Sequence, residues 1–554
     1  MARSFLPPGR GLLTLVVLPA AVYLLVFAVL TAPLLGSFST RIWADQGDGL
    51  QNAWNLWWTR KAITELHRSP WFTRYLHFPH GTTLLGHTLN PFNGLVAVPL
   101  LRYLTLFETY NVIVLFSFVA AGVTAFWLAG ACDAPYAGAL LAGALYTFSG
   151  YHFAHTAGHL QLVSLEWVPL FLLAWQRLLA RPGAGVAVLA ALSLLLVILC
   201  DYYYFVFALM AAGVMGVAYW AGRRAHRWRD VVRPLLVPLA VFGAVVLATS
   251  GLLVLGLLRL AHRDPLLGVH PASVLSLDLL GLLVPGKRWR FAGLTEAFWS
   301  RTTGNAYETS VQLGAGVLAV CAWTWWHRGE IPGARIGTWV ALGLLFFALS
   351  LGPQLHVVGR PLPVAGPYRL LERLVPPFRL SGCPVRMAVM CSLSGAVICG
   401  AGIPLLWRRR PWLTALVLVL ITIELLPAPL VTTVLTVPEW VRVLEREPDG
   451  AGLVDRMTEA PLSLYYQTVH GKPMAEGYIA RIPASVSARD GVIVRLYERG
   501  DWAGLCERFG IRYAVVRLDG DPGGKSTAVL YEDDDVRLLA LGPGGACRGR
   551  RAGR

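Results

Sequence analysis

What most constrains this chain is how often it stays apolar for the length of a membrane span. Segmented by apolar runs and their breakers, the sequence predicts eleven spans, at roughly 11–36, 109–130, 136–150, 162–180, 184–200, 203–221, 234–258, 309–326, 337–352, 384–406 and 412–430. A spanning helix needs about 20 mostly apolar residues, because the bilayer core offers no partner for an open backbone group. Residues 90–106, broken by Pro91 and Pro99, read instead as an interfacial or re-entrant helix. Composition agrees: of 554 residues 55% are hydrophobic and 14% charged, where soluble domains average about 25% charged. The predicted fold class is a polytopic α-helical membrane protein with about 11 transmembrane helices.

Charge sets the expected orientation. From Val431 onward there are 17 Lys/Arg and 17 Asp/Glu, so the first 430 residues hold 48 − 17 = 31 basic and 32 − 17 = 15 acidic groups, the whole of the +16 excess. In a soluble chain that excess would suggest nucleic acid; in this one the positive-inside rule and anionic lipid explain it, and no nucleic-acid partner is expected. The basic connections at Arg177/Arg181, 222–233, 327–335 and 407–411 belong together with a cytoplasmic N-terminus. The large loops 37–108, 259–308 and 353–383 then lie outside, as does everything after 430. Loops that long are rarely mere connectors.

The expected domains are 1–430 in the membrane, 431–541 as a small extracytoplasmic α/β domain, and 542–554 as a disordered Gly/Arg-rich tract. The eight cysteines show no CxxC pair; Cys506 and Cys547 could pair in an exported tail. The N-terminal run is too long for a signal-peptide core and reads as a retained span. No internal repeat, GxGxxG, P-loop or HExxH is present.

Four polar groups interrupt this background. In WADQGDGLQNAWNLWW (residues 43–58), Asp45 and Asp48 stand beside an amphipathic run carrying Trp54, Trp57 and Trp58. A partly desolvated carboxylate there suits a general base, while an Asp opening a helix also suits an N-cap. In SGYHFAHTAGHLQLVSLEW, His152, His155 and His159 would share one face of a continuous helix and could bind metal, hold phosphate or move protons; equally, they could hydrogen-bond backbone at a turn between helices. Glu166 follows inside a span, where an ionisable group is costly. In FRLSGCPVRM, Arg379 and Arg386 could clamp a phosphate or simply snorkel from a helix end; Arg301 and Glu308 in the loop 259–308 raise the same choice. Asp201 and Tyr202, opening DYYYF, could stack on a sugar or belong to an aromatic belt.

Taken in order, GDGLQNAWNLWW, HTLNPFNGLVAVPL, SGYHFAHTAGHLQLVSLEW, FRLSGCPVRM, YYQTVHGKPMAEGY and FGIRYAVV resemble the GT-C superfamily of bacterial membrane glycosyltransferases, close to the YfhO-like group. The resemblance covers essentially the whole chain, and HTLNPFNG and SGYHFAHTAGH are its most specific parts. It implies a GT-C-like membrane domain and transfer of a sugar, with inversion, from a polyprenyl-phosphate-linked donor to a lipid or glycan acceptor on the outer face of the bacterial cytoplasmic membrane. By the family pattern Asp48 is the acceptor-side base, with Asp45 second. Arg386 and Arg379, with Arg301, would hold the donor phosphate, and His152, His155, His159, Glu166, Asp201, Tyr202 and Glu308 would line the substrate. A divalent cation, Mg or Mn, is the candidate cofactor. The chain departs from the tight acidic pair of many such enzymes, since Asp45 and Asp48 are three residues apart. Two alternatives are a lipid or glycan transporter, against which the missing repeat counts, and a non-catalytic envelope-assembly protein, which would leave Asp48 without a role.

Overall fold

The structure, a computed structural model, describes residues 11–223, 228–268, 270–374, 378, 382–518 and 527–542. All eleven expected spans are helical. Seven are long and apolar enough to cross a membrane: Leu13–Leu30, Leu106–Ala131, Leu160–Ala180, Tyr202–Ala221, Arg229–Arg263, Pro332–Ser350 and Pro384–Arg409. The other four are shorter. Tyr136–Thr147 has 12 residues, Ala184–Cys200 has 17, Gly314–Trp326 has 13 and Pro411–Leu425 has 15. At about 1.5 Å per residue these are shorter than a hydrocarbon core roughly 30 Å thick, so length alone supports seven of the eleven expected crossings. The expected re-entrant segment is the helix Pro91–Leu100, with Pro91 at its first turn and the Asn90 side chain accepting from Asn93 N–H.

The chain forms two compact units. The first takes residues 1–38, 111–252 and 269–431. Its most enclosed helix is Ala388–Arg409, buried through almost its whole length. Small residues let neighbours approach it, as membrane helix packing requires: a Cβ at Gly138 would lie 2.0 Å from the Gly400 carbonyl oxygen. Polar tails are tied to backbone in the same unit, as where Tyr23 Oη donates to Leu140 O at 3.0 Å.

The second unit joins residues 39–110 and 253–268 to everything after 432, so the tail does not pack as a domain of its own beginning at 431. The physical reason is the tryptophan-rich first loop. The helix Asp48–Arg60 buries Trp54 and Trp58, stacked at 5.7 Å, in one core with Leu453, Leu464, Val515 and Leu538 from the C-terminal segment. Trp54 Nε1 donates to Gln467 Oε1 at 2.6 Å. Gly94 lets the helix Pro91–Leu100 close on Thr59, whose Oγ1 stands 2.5 Å from where a Cβ would sit. The C-terminal sheet runs Gly452–Asp455, Ile511–Arg517, Val536–Leu541, Thr527–Glu532 in spatial order, its first pair parallel and the rest antiparallel. The helices Glu439–Arg446, Ala460–His470, Ala484–Glu498 and Trp502–Phe509 complete the α/β character expected of the tail. Cys506 is disulfide-bonded; Cys547 and the tract 543–554 lie outside the described residues.

Candidate functional site

Two polar centres emerge, one in each unit. In the second unit, the helix-start role expected of Asp48 falls to Asp45. Asp45 Oδ1 accepts from the N–H groups of Gly47 and Gly49, both at 3.0 Å, and so satisfies a donor at the start of the helix Asp48–Arg60. Asp48 is that helix's first residue, and its Oδ1 accepts from the Tyr478 hydroxyl at 2.8 Å. Burial first, and the Asp48 charge second, hold the Tyr478 hydroxyl above the ordinary tyrosine range, so it stays a donor.

The loop carrying Tyr478 is itself held in place. Gln51 Nε2 donates to Tyr478 O at 3.2 Å, and Ala480 N–H donates to His87 Nδ1 at 3.1 Å. With Nδ1 accepting, the His87 proton sits on Nε2 and is donated to Asn55 Oδ1 at 2.9 Å. Burial pushes His87 down to about 3, with Asp48 pulling weakly the other way, so the ring is neutral. A half-buried carboxylate with a fixed phenol donor beside a neutral imidazole can take a proton from an incoming hydroxyl.

The first unit holds the other centre. The Asn305 side chain accepts from the N–H groups of Tyr307 and Glu308, fixing the turn that carries Glu308 inward. Arg386 comes from the short helical turn Pro384–Met387, ahead of the buried helix. Its Nε and Nη2 both donate to Glu308 Oε1, at 2.9 and 2.6 Å, and its guanidinium stands 5.2 Å from the Tyr203 ring centre. Glu308 Oε2 lies 3.9 Å from His155 Nε2; among the described residues neither atom has a hydrogen-bond partner. His155 Nδ1 is 3.3 Å from His159 Nδ1, and the His159 ring packs on Tyr307. A buried cation, a carboxylate and two imidazoles so arranged can bind an anion or pass a proton.

The three histidines do not share a continuous helix. The helix Gly150–His155 ends at a turn, and His159 precedes the next helix. His152 departs from the other two: both its ring nitrogens face carbonyls, Thr147 O at 2.8 Å and Val163 O at 2.9 Å, and its ring stacks on Phe118. Asp201 accepts from Tyr203 and Tyr204 N–H and caps the helix Tyr202–Ala221. Tyr202 opens that helix, Glu166 is fully buried at the start of Trp167–Ala180, and Arg301 is exposed. Arg379 lies outside the described residues.

Tyr478, His87, Gln51 and Asn55 are not singled out by the sequence reading, although all four sit in three of the quoted motifs. Among the described residues no group of three or more His, Cys, Asp or Glu could hold a metal ion. Asp45, the nearest second acid in sequence, commits Oδ1 to the helix start.

Fold and centres define a multi-pass membrane protein with polar sites at the ends of its helices. The chain belongs to the family Domain of unknown function (DUF6311), whose model matches residues 16–426; the YfhO-like group that its motif order resembles is not the family matched. No curated protein matches the sequence. Among solved structures it is similar to the Archaeoglobus fulgidus oligosaccharyltransferase in the apo form, at 11% identity and TM-score 0.48 over 91% of this chain and 69% of that one. It is also similar to the arabinofuranosyltransferase AftD from Mycobacteria, at 15% and 0.49 over 96% and 41%. ArnT from Cupriavidus metallidurans bound to undecaprenyl phosphate matches at 13% and 0.40 over 95% and 97%. All three likenesses are distant, with TM-scores below 0.5.

Proposed function

We propose that this protein is a membrane glycosyltransferase that moves a sugar from a polyprenyl-phosphate-linked donor to a hydroxyl of a lipid or glycan acceptor, with inversion. In the same reading it works at the outer face of the bacterial cytoplasmic membrane, with its N-terminus inside and its C-terminal segment outside. The observation that carries it is the division of labour at the start of the helix Asp48–Arg60. Asp45 serves the helix end, while the Asp48 carboxylate is held by a phenol.

Asp48 takes the proton of the acceptor hydroxyl. The acceptor oxygen then attacks the anomeric carbon from the face opposite the donor phosphate. The bond from that carbon to the phosphate oxygen breaks, and polyprenyl phosphate departs with the electron pair. Attack from the opposite face gives inversion. Tyr478 fixes the carboxylate's direction, so that the base meets the acceptor in one geometry.

Membranes containing the protein, supplied with a labelled polyprenyl-phosphate sugar, should yield a labelled product whose anomeric configuration is opposite to the donor's. Membranes lacking the protein should yield none. A product that does not depend on the protein sinks the reading; retention of configuration sinks the single-displacement mechanism.

A further inference from the structure

A cavity of about 240 Å³ in the first unit has no part in the chemistry above. It lies where the helix Tyr202–Ala221 ends, near Tyr219 and Gly222, whereas Asp201 caps the other end of that helix. Twenty residues at 1.5 Å each put the two ends roughly 30 Å apart, one hydrocarbon thickness. The cavity is therefore not an annex of the Glu308–Arg386 centre. Its walls are of two kinds. Arg223, Arg335, Gln176 and Thr338 are polar; Leu179 and Met215 are apolar.

The two cations are what need an explanation. Arg223 is stacked 3.8 Å from the Tyr219 ring centre, which holds its guanidinium at the rim. Arg335 stands at the start of the helix Ile336–Ser350. Among the described residues neither arginine makes an ion pair, and the nearest acid in the fold, Asp133, lies with its carboxylate against Gly333, two residues from Arg335. Two guanidiniums beside an apolar floor match a molecule with an anionic head and a hydrocarbon body. Both arginines belong to connections that the charge pattern places on the cytoplasmic side.

We propose that this cavity binds the phosphate-bearing head of an anionic membrane lipid on the cytoplasmic side, with Arg223 and Arg335 clamping the phosphate. The proposal does not depend on the transferase reading. A free phosphate offers the same head without the hydrocarbon, and the test separates the two sources.

Full-length protein in mild detergent is titrated with phosphatidylglycerol, with phosphatidylcholine and with inorganic phosphate, and bound molecules are counted by native mass spectrometry. The wild type should retain phosphatidylglycerol over phosphatidylcholine. Arg223→Ala/Arg335→Ala should weaken that retention roughly tenfold, the scale of one lost charge-assisted hydrogen bond. Arg408→Ala/Arg410→Ala removes the same charge from another connection assigned to that side and should change nothing. Competition by inorganic phosphate at the same two arginines would keep the phosphate clamp but overturn the lipid as its source. Equal losses in both double variants, or no loss in either, would overturn the site. If the cavity double variant does not fold, as judged by thermal unfolding, Arg335→Gln alone carries the comparison, and unchanged lipid retention in it counts against the clamp.

Discussion

Replacing Tyr478 by Phe removes one hydroxyl and keeps the ring. In the folded protein that hydroxyl donates to Asp48 Oδ1 at 2.8 Å. A hydrogen bond to a charged group is worth about 1.5–3 kcal/mol net; because Tyr478 is only half-buried, about 1–2 kcal/mol is the fair expectation after solvent screening. If the bond serves mainly to aim the carboxylate, the loss appears in the transition state, and kcat/KM falls roughly 5- to 30-fold. The assay is transfer from a labelled polyprenyl-phosphate sugar by purified wild type and Tyr478→Phe at matched folded protein. Burial, with the Asp48 charge second, also gives Tyr478 a pH signature. Folding raises the tyrosine pKa, so the folded state holds the proton more tightly. This contribution is complete below the ordinary tyrosine value near 10 and is lost as pH rises above it. Transfer unchanged by Tyr478→Phe, with Asp48→Asn inactive, would refute the positioning role while leaving the base in place.

Three further outcomes follow from other contacts. His87 is pushed down to about 3 by burial, so the unfolded state binds more protons between pH 3 and about 6.5 and wild-type stability should fall with acidification through that window; thermal unfolding against pH should show a shallower fall in His87→Gln. Glu308→Gln leaves the Arg386 charge buried and uncompensated and should cost about 3–5 kcal/mol, whereas Glu308→Leu/Arg386→Met should recover much of it, as read by denaturant or thermal midpoints. Gly138→Ala forces a methyl to within 2.0 Å of the Gly400 carbonyl oxygen and should cost about 1–3 kcal/mol by overpacking; an unchanged midpoint would mean the two helices are not in that contact.

Helices were legible because hydropathy and length are local properties: each predicted span carries its own evidence, even those that turn out too short to cross alone. The start of Asp48–Arg60 was legible too, since Gly47 and the acids announce a helix end, but not which acid would serve it. That choice depends on Tyr478, 430 residues away, and nothing in the spacing of a single sequence reports such a pairing. The histidines make the same point within a dozen residues. His152 and His155 are one turn apart, yet one is tied to two carbonyls and the other faces Glu308, because the chain turns after His155. Glu308 looked peripheral in sequence and became central once Arg386 met it. The tail shares its core with the first loop for a physical reason as well: Trp54 and Trp58 need a core, and the C-terminal segment supplies it.

The most direct measurement compares Asp48→Asn and Asp45→Asn in the transfer assay, both checked for folding by thermal unfolding. A general base contributes about 10²- to 10⁴-fold, so Asp48→Asn should lower kcat by at least about 100-fold while the protein stays folded. Asp45→Asn loses charge at a helix start and should cost about 1 kcal/mol of stability or less, with most activity retained. Full transfer in Asp48→Asn, or a larger loss in Asp45→Asn than in Asp48→Asn, would contradict the assignment of Asp48 as the base.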